Sequence, residues 1–158
     1  MKKLNILAAA GLMALAMSAF STVSYASDKD ASKKVVSDGA QEQDMKLMIG
    51  DTQVEVAWED NDSVKELKAL VSGGPRTIDM SMYGGFEQVG PIGSSLASSD
   101  VQTVTEPGDI VLYSSSQIVI FYGSNSWAYT KLGKVTDRTA EEMTTLLGNG
   151  NVVITLSM

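Results

Sequence analysis

A chain of 158 residues with neither His nor Cys lacks the usual zinc and copper ligand sets, every Ser-His or Cys-His nucleophile pair, and any disulfide to support its fold. Its 19 acidic side chains outnumber 12 basic ones for a formal net charge of −7, which repels phosphate backbones and excludes nucleic acid as a partner. With 44% hydrophobic residues the chain can fill one core, and burial of those side chains must stabilise it without covalent help.

The chain begins with Lys2 and Lys3, an apolar run from about Leu4 to Phe20, and small residues ending in Ser24-Tyr25-Ala26. That is the layout of a secretory signal peptide cleaved after Ala26. A membrane anchor would need roughly 20 unbroken apolar residues, and Ser18, Ser21 and Thr22 interrupt this run. No Cys follows, so a lipoprotein anchor is excluded. Cleavage removes two Lys and no acid, moving the charge to −9. The mature protein is expected to be periplasmic or secreted, the periplasm being favoured, without stable membrane insertion. Residues 27–44 are polar and charged, with only Val35 and Val36 to bury, and read as a disordered linker.

The folded domain is expected over residues 45–158. Val54, Val56 and Trp58 alternate as in a strand, and Gly50-Asp51 between two such runs predicts a tight hairpin turn. The period then lengthens: Val64, Leu67, Leu70 and Val71 share one helical face, Ser63 and Glu66 have capping-box spacing, and Gly73-Gly74-Pro75 ends the helix. Ile78, Met80 and Met82 resume strand alternation, and Gly84-Gly85 marks a bend. Residues 94–106 read as a polar loop before the turn signal Pro107-Gly108-Asp109.

Two short strands, 110–113 and 117–122, flank Ser114-Ser115-Ser116. After a Ser/Asn-rich loop carrying Trp127, "AYTKLGKV" predicts another strand. Thr139 and Glu142 form a capping box for a second helix stopped at Gly148, and "NVVITLSM" is the last strand. Two helices isolated among antiparallel strands are accommodated by a mainly β, closed antiparallel barrel with two short capping helices, since closure leaves no exposed edge.

The order "SQIVI", Trp127, "LGKV", polar turn and helix resembles the cyclophilin pattern. "WEDNDSVKEL", "MYGGFEQVG", "PGDIVLY" and "IFYG" extend the resemblance to small bacterial cyclophilin-like domains over residues 45–156. The ordered set carries it, since each segment alone is unspecific. The resemblance implies a cyclophilin-like β-barrel with its site on the outer wall. It also implies a peptidyl-prolyl isomerase alternative, in which Arg76 donates to the prolyl nitrogen and Gln117 aligns the peptide. Rotation about that amide faces a barrier of about 18–20 kcal/mol. Trp127 matches the family's Trp. Val119 stands where the family has a proline-pocket Phe, Tyr129 is nearest to a missing His, and Phe86 opens a segment one residue shorter than the family's.

The remaining motifs carry less. Gly-x-Ser-x-Gly and Walker loops are absent, and "GNGNVV" follows a helix and opens a strand, the reverse of a dinucleotide fingerprint. "EDNDS" at residues 59–63 lacks EF-hand spacing and reads as a polar helix-capping turn. Glu87, at the predicted bend, either accepts backbone N–H groups or contacts a ligand. Trp58 is assigned to the core. Trp127 either faces a ligand or folds back to seal the barrel mouth. Phe121 and Tyr122 must point to opposite faces, leaving one of them for a ligand.

The expectation is therefore an exported barrel that binds an extended peptide, proline-containing segments included. Its alternatives are prolyl isomerisation and small-molecule binding. The catalytic candidates are Arg76 and Gln117; the ligand candidates are Phe86, Glu87, Val119, Phe121, Trp127 and Tyr129. No metal site and no cofactor are expected. The sequence does not specify an oligomeric state.

Overall fold

The computed structural model describes residues 44–158. The expected leader and all of the linker except Asp44 lie outside the described residues. Eleven strands and two helices follow in the order β1 (Lys46–Ile49), β2 (Thr52–Val54), β3 (Val56–Trp58), α1 (Asp62–Ser72), β4 (Arg76–Asp79), β5 (Ser81–Tyr83), β6 (Glu87–Pro91), β7 (Val101–Val104), β8 (Asp109–Tyr113), β9 (Gln117–Phe121), β10 (Ser126–Val135), α2 (Ala140–Leu147) and β11 (Val153–Ser157). Among these residues no helix is long and apolar enough to cross a membrane.

Every ladder is antiparallel. Four strands form one sheet in the order β2-β1-β11-β4, and seven form a second, β3-β10-β8-β9-β6-β5 with β7 alongside β10. Neither sheet closes on itself. The mainly β architecture with two helices holds, with two open sheets in place of the single closed barrel expected. The reason lies at two corners. The chain bends at Glu55, so β2 pairs in the first sheet and its continuation β3 in the second; at Met80 the same happens between β4 and β5. Strands that switch sheets at a bend are how two packed sheets make a corner. Gly90 on β6 lies against the second corner: a Cβ there would fall 2.7 Å from Ile78 Cγ2 and 3.0 Å from the Asp79 carbonyl oxygen.

The expected hairpin at Gly50-Asp51 forms, with Gly50 at φ +56°, where a left-handed residue costs Gly little. Helix α1 is capped differently from expectation. Asn61 is the N-cap: its Oδ1 accepts from Val64 N at 3.0 Å while its Nδ2 donates to Lys131 O. Ser63 and Glu66 instead hold the 92–99 segment, Ser63 Oγ donating to Ala97 O and Glu66 Oε2 accepting from Ala97 N. Helix α2 has the expected box, with Thr139 Oγ1 accepting from Glu142 N and Glu142 Oε2 accepting from Thr139 N.

The polar loop expected over 94–106 contains β7, and the loop expected around Trp127 is the first half of β10. Ser126 to Tyr129 pair with Val104 to Val101, and β10 continues through a bulge between Lys131 and Gly133 to pair with β8 and β3. Ser and Asn are poor strand formers alone; here the partner strand supplies the ordering.

Leu47, Leu67, Ile78, Ile110, Ile118, Leu132, Met143 and Ile154 belong to one buried cluster drawn from both sheets and both helices. Burying each such side chain contributes about 1.5–3 kcal/mol against the entropy of ordering. Trp58 is half-buried against this core, its Nε1 donating to Met45 O. A smaller cluster, Val111, Val119, Phe121 and Tyr129 with Phe86 and Val89 beside it, is separate from the first.

Candidate functional site

Strand alternation assigns the second cluster to one face of the larger sheet. In the ladder registers Val119 is opposite both Val89 and Val111, while Gln117 is opposite both Pro91 and Tyr113. Intervening residues such as Ile110, Leu112, Ile118 and Ile120 enter the main core. An antiparallel sheet with one face on a core commonly leaves the other polar. This outer face is apolar at its centre, and over it lies a cleft of about 630 Å³.

Its floor is Val89, Pro91 and Val119, with Gln117 at one end; Ser81 to Tyr83 form one wall, and Tyr113, Asn125, Trp127 and Tyr129 the other. Trp127 is 57% exposed, Tyr83 65% and Tyr113 37%, so aromatic surface is presented to solvent at the rim. Beneath it the rings interlock edge to face: Tyr113 and Tyr129 centroids are 6.1 Å apart, Tyr129 and Phe121 5.7 Å. Such pairs add about 0.5–1.5 kcal/mol beyond burial. Asn125 Nδ2 donates to the Tyr129 hydroxyl at 2.9 Å, which fixes the loop before Trp127.

Glu87 is the cleft's carboxylate. It is 6% exposed, and its Oε2 is buried without a hydrogen-bond partner. The expected acceptance of backbone N–H groups is therefore absent at that oxygen. Burial raises the Glu87 carboxyl above its ordinary range. Burial first, and then the Glu87 charge, raise the Tyr129 phenol, against a lowering from Asn125. No Lys or Arg lines the cleft.

Of the residues singled out from the sequence, Glu87, Gln117, Val119, Trp127 and Tyr129 come together here. Arg76 does not. It stands on β4 in the other sheet, and its Nη1 donates to Ile92 O at 2.7 Å, bracing the turn after β6. Phe121 is fully buried beneath Tyr129, and Tyr122 is buried on the main-core side, so neither presents a face to a ligand. Phe86 is half-buried against the second cluster, close under Gly123, whose Cβ would fall 2.7 Å from that of Phe86.

Sequence reasoning passed over Tyr113, Val89 and Pro91. Their signal was register: with Gln117 and Val119 on the outer face, a hairpin through Ser114-Ser115-Ser116 puts Tyr113 beside Gln117. Asn125 carried no such signal, because its use depends on Tyr129. Among the described residues no three His, Cys, Asp or Glu side chains are grouped to hold a metal ion.

A family model described as the cyclophilin-like family matches residues 47–157. No curated protein matches. Among solved structures, McbB in complex with tryptophan is similar in fold, with a TM-score of 0.51 and 11% identity over 72% of this chain. The chain spans 44% of that protein's length, and at this identity the likeness concerns the fold alone.

Proposed function

The chain belongs to the cyclophilin-like family, and from that premise we propose that it is an exported binding module whose outer-face cleft takes an extended, proline-containing peptide. One observation carries this reading: an apolar sheet face under exposed aromatic rings, with the Gln117 amide at one end to meet a peptide backbone. Apolar clefts of about 300–1,000 Å³ with a few placed polar groups are the usual form of binding sites. Lys2 and Lys3, the apolar run and Ala26 support export. A continuous eight-stranded barrel would need the two corner strands to count in both sheets; the contiguity of β2 with β3 and of β4 with β5 supports that finer description.

The isomerase alternative loses the donor assigned to it, since Arg76 is engaged at Ile92 O and lies outside the cleft. Binding without acceleration of prolyl exchange is the expected result. A small-molecule ligand is the second reading, favoured by the unpartnered carboxyl oxygen of Glu87 in the cleft lining and in keeping with the tryptophan bound by McbB.

The test is a titration of Xaa-Pro peptides against wild type and Trp127→Ala, read by calorimetry, with magnetisation-exchange NMR on the same samples. Loss of the Trp127 ring should weaken binding at least tenfold, because a stacked aromatic contact is lost from the rim. Equal affinity in the two proteins would remove the cleft as the peptide site. Faster cis–trans exchange on adding wild type would restore the isomerase reading.

A further inference from the structure

Glu87 presents a chemical problem that the fold leaves unsolved. Its side chain is more than nine-tenths buried, Oε2 has no hydrogen-bond partner, and no cation among the cleft residues neutralises it. A buried carboxylate is stable only when paired or protonated. The lysines elsewhere on this domain show the contrast: Lys134 Nζ lies 2.8 Å from Glu106 Oε2 and 3.5 Å from Asp109 Oδ1, and Lys131 is 3.8 Å from Glu59. Those carboxylates have counter-charges beside them, and among the described residues lining the cleft no Lys or Arg plays that part for Glu87.

The surroundings favour one kind of partner. Trp127 and Tyr83, each more than half exposed, line the same cleft with the partly exposed Tyr113, and aromatic faces attract cations. An anionic ligand would meet Glu87 with no compensating Lys or Arg. A wholly neutral apolar ligand would cover the carboxyl and leave its oxygen unsatisfied.

We propose that the cleft recognises a protonated amine carried beside an apolar group, the ammonium being received by the Glu87 carboxylate and the apolar body by Val89, Val119 and the aromatic rim. This rests on the reading of the cleft as the binding site and names what is bound there. A peptide's N-terminal ammonium and a free small amine share this chemistry. The other titratable groups lining the cleft are Tyr83, Tyr113 and Tyr129. Glu87 is the one Asp or Glu side chain among the residues lining the cleft.

The experiment titrates the wild-type chain with two matched pairs of compounds at neutral pH by calorimetry. One pair is phenethylamine and 2-phenylethanol; the other is Phe-Pro amide with a free N-terminus and its N-acetyl derivative. Each amine should bind at least tenfold more tightly than its neutral counterpart, and Glu87→Gln should bring the amine's affinity down to that of the counterpart. The wild-type comparison needs no variant, so poor folding of Glu87→Gln cannot obscure it. A larger preference in the dipeptide pair identifies a peptide N-terminus as the source, a larger one in the phenethylamine pair a small amine, and either supports the proposal. Equal binding within both pairs overturns the amine proposal and leaves the cleft standing. A preference that survives in Glu87→Gln overturns the assignment to this residue. Binding of none of the four overturns the cleft reading and this inference with it.

Discussion

Glu87 and Gln88 are neighbours on β6, and strand alternation sends them to opposite faces of the sheet. Gln88 is fully buried on the other side, where its Nε2 donates to Leu147 O and Gly150 O at 2.7 Å each, satisfying the last carbonyl of α2 and one in the turn that follows it. Glu87 has no comparable arrangement, and its environment destabilises the ionised form. The folded state therefore retains a proton that the unfolded chain has already released. Stability from this group is fully present below the ordinary carboxylate value of about 4.3 and is lost as pH rises through the raised folded value. Glu106, held low by Lys134, and Glu142, held low by the Thr139 cap, act in the opposite sense and weaken the fold as pH falls. The difference between wild type and Glu87→Gln isolates the first effect. Thermal unfolding of the two across pH 4 to 8 should show a wild-type decline toward neutrality that the variant lacks. Parallel profiles would mean that the carboxyl titrates as an ordinary one. Sequence reading placed Glu87 at a bend and left its use open. Its burial was not legible, because it depends on strand pairing that sets Glu87 between Tyr83 of β5 and Phe121 of β9.

At the scale of elements, local signals succeeded where a segment's neighbours in sequence are also its neighbours in space. The β1–β2 hairpin, both helices and the α2 capping box are of that kind. The cap of α1 was misread because Asn61 and Ser63 are both good capping residues. The deciding contacts are remote: Asn61 also reaches Lys131 O, and Ser63 is drawn to Ala97 O. Ser63→Ala should therefore cost about 1 kcal/mol by removing a part-buried hydrogen bond. It should also raise amide exchange in the 92–99 segment while leaving the helix protected, which hydrogen exchange can resolve. Increased exchange at the first turn of α1 instead would return Ser63 to a capping role. The pairing of β7 with the start of β10 was hidden for the same reason as the α1 cap. "VQTV" and "SWAY" are too short and polar to announce strands, yet together they carry Trp127 and position it at the cleft rim.

For the whole molecule, the mainly β character with two isolated helices was legible, while β7, the full strand count and the way the sheets join were not. Alternation tells which residues lie in strands but is silent about where a strand changes partners, and Glu55 and Met80 look like any other strand residues. The corner at Met80 demands close approach of β6 to β4, which Gly90 permits. Gly90→Ala would press a methyl group on Ile78 and the Asp79 carbonyl and should destabilise the domain by about 1–3 kcal/mol in urea unfolding, as overpacking does. A neutral result would mean that the two strands can separate without loss.

The placement of β11 ties the two ends of the domain together. This strand lies between β1 and β4, with Lys46 registered on Ser157 and Arg76 on Leu156, so the smaller sheet joins segments from opposite ends of the domain. Closing so long a loop is entropically slow. The wall of the cleft at Ser81 to Tyr83 continues β4, whose ladder partner is β11. A chain cut short of β11 would therefore lose the ladder partner of β4 beside that wall, while β5, β6, β8 and β9 keep their own pairings under the cleft.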